Sequence, residues 1–64
     1  MNHDQRKARF LRQYANVPVE KRNNIIIMTS RRDSYSWDDI YFEVQENTMF
    51  AKLLLKIFFR DRSD

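Results

Sequence analysis

Residues 36–60 read SWDDIYFEVQENTMFAKLLLKIFFR, and the fold turns on whether this stretch holds two helices or a strand and a helix. Trp37, Ile40, Tyr41 and Val44 fall at the i, i+3, i+4, i+7 spacing that gathers side chains on one helical face. Ile40, Phe42 and Val44 also alternate with Tyr41, Glu43 and Gln45, so residues 37–45 keep a strand alternative. The flanking residues favour the helix. Ser36 stands as an N-cap, Asp38 and Asp39 occupy a first turn where negative charge is stabilising, and Ser36 with Asp39 resembles a capping box. Asn47 is a suitable left-handed C-terminal residue in a chain that contains no glycine. Thr48 then opens a second helix running to about Arg60.

At ~100° per residue, Phe50, Leu53, Leu54, Ile57 and Phe58 form one face of that second helix. Leu55 and Phe59 widen the apolar arc, and only Lys52, Lys56 and Arg60 make a polar stripe. So wide an arc predicts a helix nearly enclosed by the rest of the chain, or a self-association surface. Phe42, Leu55 and Phe59 are the candidate interface residues.

Outward from this stretch, residues 4–15 (DQRKARFLRQYA) read as an amphipathic helix with Ala8, Leu11, Tyr14 and Ala15 on one face. Asp4 caps it or complements its dipole, and Asn16 with Pro18 ends it. Residues 25–29 (IIIMT) read as a strand because adjacent isoleucines favour the pleated conformation. An unbroken apolar run predicts cover on both faces. Ser34–Ser36, reached through a turn at residues 31–33, is its nearest partner. The expected architecture is a single small α+β domain over residues 1–64: helix, two-stranded β-hairpin, helix, helix, with residues 1–3 and 61–64 disordered. The expected core draws on Leu11, Tyr14, Ile25, Ile27, Trp37, Ile40, Tyr41, Val44, Phe50, Leu53, Leu54, Ile57 and Phe58.

Composition sets most chemistries aside. The 64-residue chain has no cysteine, so no disulfide or thiolate–metal site helps a domain that buries only about 60% of its unfolded surface. Without glycine there is no P-loop, dinucleotide fingerprint or nucleophile elbow. His3 is the one histidine and sits near a terminus, which leaves zinc sites and histidine acid–base catalysis without a centre. Asp38 and Asp39 point about 100° apart if helical, and helix capping already employs them. No enzyme activity and no cofactor are expected. The opening MNHDQRKARFLRQ lacks the apolar run of a secretory signal, and the apolar stretches fall short of the ~20 residues of a membrane span. A cytoplasmic location with no membrane partner is the expectation.

Charge carries the remaining information. Residues 1–32 hold eight Lys/Arg against two acids, giving +6, and residues 33–64 hold four against seven, giving −3. Arg6, Lys7, Arg9 and Arg12 on the first helix, with Lys21, Arg22, Arg31 and Arg32 in the loops flanking the strand, are candidate nucleic-acid contacts. Residues 36–60 also resemble a helix-turn-helix, which implies base reading by Thr48, Lys52 and Lys56. Glu43, Glu46, Asp38 and Asp39 would repel phosphate there. The leading expectation is a non-catalytic protein-interaction or accessory module, with itself (a homodimer) or another protein as partner. Nucleic-acid binding is the alternative.

Overall fold

The computed structural model describes residues 2–29 and 31–59. Residues 61–64, expected to be disordered, lie outside them, as does Met1. The chain forms α1 (His3–Ala15), a short 3-10 turn (Val19–Lys21), β1 (Ile25–Met28), β2 (Ser34–Ser36), α2 (Trp37–Glu46) and α3 (Met49–Phe58). This is the expected helix, hairpin, helix, helix order, and the strand alternative for residues 37–45 is replaced by a helix.

Local chemistry accounts for each boundary. The cap of α1 is Asn2 rather than Asp4: its side chain accepts from the Gln5 backbone N–H at 2.8 Å, and the Gln5 side chain accepts from the Asn2 N–H at 2.9 Å. Asp4 lies in the first turn, where it complements the helix dipole. Ser36 ends β2 and caps α2 in the same residue, so the hairpin runs into the helix with no loop between. Its hydroxyl accepts from the Asp39 N–H at 3.2 Å, and the Asp39 carboxylate accepts from the Ser36 N–H at 2.9 Å. Asn47 closes α2 in the left-handed conformation, at φ 54°. Thr48 caps α3 through the Ala51 N–H at 3.0 Å and donates its own proton to Glu43 at 2.7 Å.

β1 pairs antiparallel with β2 as Ile25↔Ser36, Ile27↔Tyr35 and Met28↔Ser34, and a bulge at Ile26 interrupts the register. Ile27 is buried while Ile25 and Met28 are exposed. The two-sided cover expected for this strand is therefore absent. Two strands make a sheet with one face on the core, and the other face stays open.

The core consists of Phe10, Ile27, Ile40, Val44, Ala51, Leu54 and Leu55. Two helices are rotated relative to expectation. In α1 the inward residue is Phe10, fully buried, and Ala8 and Ala15 face outward. Phe10 meets Trp37 at 5.6 Å and Phe58, edge to face, at 5.7 Å between ring centroids. In α3 the inward face is Ala51, Leu54, Leu55 and Phe58, leaving Phe50, Leu53 and Ile57 substantially exposed. The small Ala51 lets the helix lie close to its neighbours, and Phe58 turns the far end toward Phe10.

The αL position at residue 47 gives a direct test. Asn47→Ala should cost about 1–2 kcal/mol, because a Cβ without a local hydrogen-bonding side chain is strained there. Asn47→Gly should retain or slightly raise stability. Urea unfolding followed by circular dichroism checks both.

Candidate functional site

The exposed apolar side chains of α3 form a stripe. Phe50, Leu53 and Ile57 recur at i, i+3, i+7, and Met49 is exposed at the head of the helix. Leu53, 57% exposed, is the clearest case, since helical position alone would have allowed it to be core. Each end of the stripe opens into a groove. At the α3 start, a groove of about 300 Å³ is lined by Ser34, Tyr35, Asp39, Phe42, Glu43 and Phe50. At the α3 end, one of about 320 Å³ lies between β1 and the helix, lined by Ile26, Ile27, Met28, Ile57 and Phe58. None of those five side chains carries a nitrogen or oxygen, so any polar atoms exposed there belong to the main chain.

The first groove is aromatic below and acidic at its rim. Tyr35 and Phe50 meet edge to face at 5.4 Å, and Phe42 stands 61% exposed beside them. Asp39 and Glu43 lie at i and i+4 on α2, on one side of the helix. Each carboxylate is held by a neutral donor through one oxygen: Asp39 by the Ser36 N–H, Glu43 by the Thr48 hydroxyl.

The expected interface residues separate in this arrangement. Phe42 is on the surface and lines the groove. Leu55 is 0% exposed, inside the core, so it is unavailable to a partner; the inward rotation of α3 put it there. Phe59 is half-buried, packed edge to face on Phe58 at 4.7 Å with the Arg9 guanidinium 5.8 Å above its ring. Leu53 and Ile57, expected in the core, take the exposed positions instead. The signal that could have located them was the small Ala51, which marks the side of closest helix approach.

The basic residues do not form one face. Arg6 is buried with 9% exposure, on the Phe10 side of α1, and its Nε has no hydrogen-bond partner among the described residues. Lys7 is half-buried, and Arg9 and Arg12 are exposed. Arg22 lies 4.5 Å over the Tyr14 ring and donates from Nε to the Val17 carbonyl at 3.2 Å. Lys21 is exposed beside it, near the open end of the hairpin, whereas Arg31 and Arg32 occupy the turn at its other end. Lys52 and Lys56 are exposed on α3, but Thr48 spends its hydroxyl on capping and on Glu43.

Arg22 belongs to a tie between α1, the following loop and α2. The Tyr14 hydroxyl donates to the Asp38 carboxylate at 2.7 Å, and the Tyr14 and Tyr41 rings stack at 4.1 Å. The Asp38 N–H donates to the Arg22 carbonyl at 3.0 Å. The hydrogen bond to Asp38 raises the Tyr14 phenol above its ordinary value, and burial and the Asp38 charge push it the same way.

Among the described residues no cluster of His, Cys, Asp and Glu is arranged to hold a metal ion. None of their helices is long and apolar enough to cross a membrane. Comparison with known proteins returned no match: no family model fits the chain, and no curated protein or solved structure gives a significant one.

The Tyr14 tie predicts a pH response. The folded phenol has the higher pKa, so the contribution of the bond to stability is complete below the unfolded value of about 10. It is lost as pH climbs through the folded value. Tyr14→Phe should cost about 1 kcal/mol near neutrality and flatten the decline in stability above about pH 10. Asp38→Asn should bring the late-titrating phenol back toward the ordinary range, as read by phenolate absorbance.

Proposed function

We propose that this protein is a non-catalytic interaction module whose partner is a second copy of itself, docked through the exposed face of α3 and its two flanking grooves. The observation that carries this reading is the stripe Phe50–Leu53–Ile57, an apolar helix face that the fold leaves outside its core. Exposed apolar surface of this kind commonly marks interfaces.

Two further features favour a second copy. β1 is an edge strand of a two-stranded sheet, with Ile25 and Met28 exposed. Strand edges of this kind pair readily across a two-fold axis, where each copy satisfies the other. Charge also suits self-association. α2 carries Asp38, Asp39, Glu43 and Glu46 with no Lys or Arg, while α3 carries Lys52 and Lys56 and the hairpin turn carries Arg31 and Arg32. Each copy thus presents both signs. The nucleic-acid alternative draws on the same basic residues, but Arg6 and Arg22 are already engaged by the fold.

Sedimentation over a concentration series tests the reading: mass should rise with concentration, and a strictly monomeric mass at the highest concentration would sink it. The variant Leu53→Glu should stay folded by circular dichroism and become monomeric, since Leu53 is 57% exposed and substitutions at exposed positions cost roughly 0.5 kcal/mol or less. Leu55→Glu should unfold the chain, because it buries a charge in the core.

A further inference from the structure

We infer that the aromatic and acidic groove at the start of α3 receives an arginine from the hairpin turn of the second copy, reciprocally about a two-fold axis. This inference rests on the self-association reading and names the contact that gives it specificity.

The groove has the chemistry of a guanidinium site. Tyr35, Phe42 and Phe50 line it with aromatic rings, and Asp39 and Glu43 line it with carboxylates. A guanidinium stacks on aromatic faces while its N–H fork engages a carboxylate, which an ammonium does less well. A volume near 300 Å³ is at the small end of ligand pockets, suited to one side chain. Both carboxylates are fixed in advance by the Ser36 N–H and the Thr48 hydroxyl. Their remaining oxygens accept no hydrogen bond among the described residues.

Capping accounts for Asp39, and the Thr48 hydroxyl engages one Glu43 oxygen, but the charge on Glu43 carries a cost in the fold. Like charges at i and i+4 are destabilising, and Glu43 and Glu46 stand in the C-terminal half of α2, where the dipole disfavours negative charge. No Lys or Arg lies on α2 to offset them. An incoming cation would.

The chain carries that cation next to the groove. Arg31 and Arg32 are exposed in the turn, and Ser34, two residues after Arg32, lines the groove. Asp33 leaves the turn net positive. Arg32 has φ 67°, the left-handed region that a long side chain rarely takes. A cationic turn only two residues from its receptor groove suits an isologous contact, in which each copy must give and receive at the same interface.

Charge reversal decides the matter. The variants Arg31→Glu/Arg32→Glu and Glu43→Lys should each weaken self-association by at least about tenfold. An equimolar mixture of the two should recover it, because both reciprocal contacts are then attractive. Glu43→Gln, which keeps an oxygen for Thr48, should also weaken association and guards against a folding defect in Glu43→Lys. Raising salt should weaken the wild-type dimer. If the wild type associates but neither reversal changes it, or the mixture fails to recover, the arginine contact is wrong while self-association stands. If the wild type is monomeric, the underlying reading falls as well. If an added arginine-rich peptide shifts the amides of Tyr35, Phe42 and Glu43 while reversal leaves the dimer intact, the occupant is a foreign segment and the second-copy contact is overturned.

Discussion

Phe10 is the side chain on which the arrangement of helices depends. It is the one fully buried apolar residue of α1, a helix otherwise rich in Arg, Lys and Gln. Its ring touches Trp37 at the first turn of α2 and Phe58 at the last turn of α3. One side chain thereby joins all three helices, through residues at positions 10, 37 and 58 that lie far apart in sequence. Truncating a buried phenylalanine commonly costs about 3–5 kcal/mol, on the scale of everything a single core in so small a domain supplies. The contact also has a directional consequence. Setting Phe58 edge-on against Phe10 turns Ala51, Leu54 and Leu55 inward, and on a helix that choice sends Leu53 and Ile57 outward.

The boundaries of this fold were legible because they are local. Ser36, Asp39, Asn47 and Thr48 act on backbone groups within four residues of themselves, so their spacing alone identifies the helices they start and stop. The hairpin was legible for the same reason, from three adjacent isoleucines and a short second segment. Facing was not. Periodicity gives the angle between two side chains and leaves open which part of a wide apolar arc meets the core. On α3 the arc covers most of the circumference, and packing against α1 and β1 made the choice. On α1 the inward side carries Arg6 as well as Phe10. An arginine whose stem is buried beside a phenylalanine hides the apolar side from any pattern that counts it as polar.

The candidate site was legible in part for a related reason. Excess hydrophobicity in residues 48–60 predicted a surface, yet the residues first assigned to it were those widening the arc, Leu55 and Phe59. One is in the core and the other packs beside α1. The surplus lies about half a turn away. The groove was less accessible still, because it joins β2, α2 and α3. Asp39 and Phe42 are three residues apart, but Tyr35 and Phe50 meet only through tertiary packing. The basic half of the sequence likewise lost its unity once folded, with Arg6 taken into the protein and Arg22 laid over Tyr14.

Two departures from what folding requires remain on the surface, of different physical kinds. The stripe Phe50–Leu53–Ile57 lies outside the core of Ala51, Leu54 and Leu55, and at Leu53, 57% exposed, a polar residue would serve a solitary helix equally well. Asp39 caps the start of α2, but the Glu43 carboxylate one turn on repels it and opposes the helix dipole. Phe50 belongs to both features, since it begins the stripe and lines the groove. An apolar excess and an uncompensated charge pair therefore share one face of the molecule. A partner that covers that face with apolar surface and brings a cation to its edge offsets both costs at once, which is why the two features are better read as one surface than as separate accidents of a small domain.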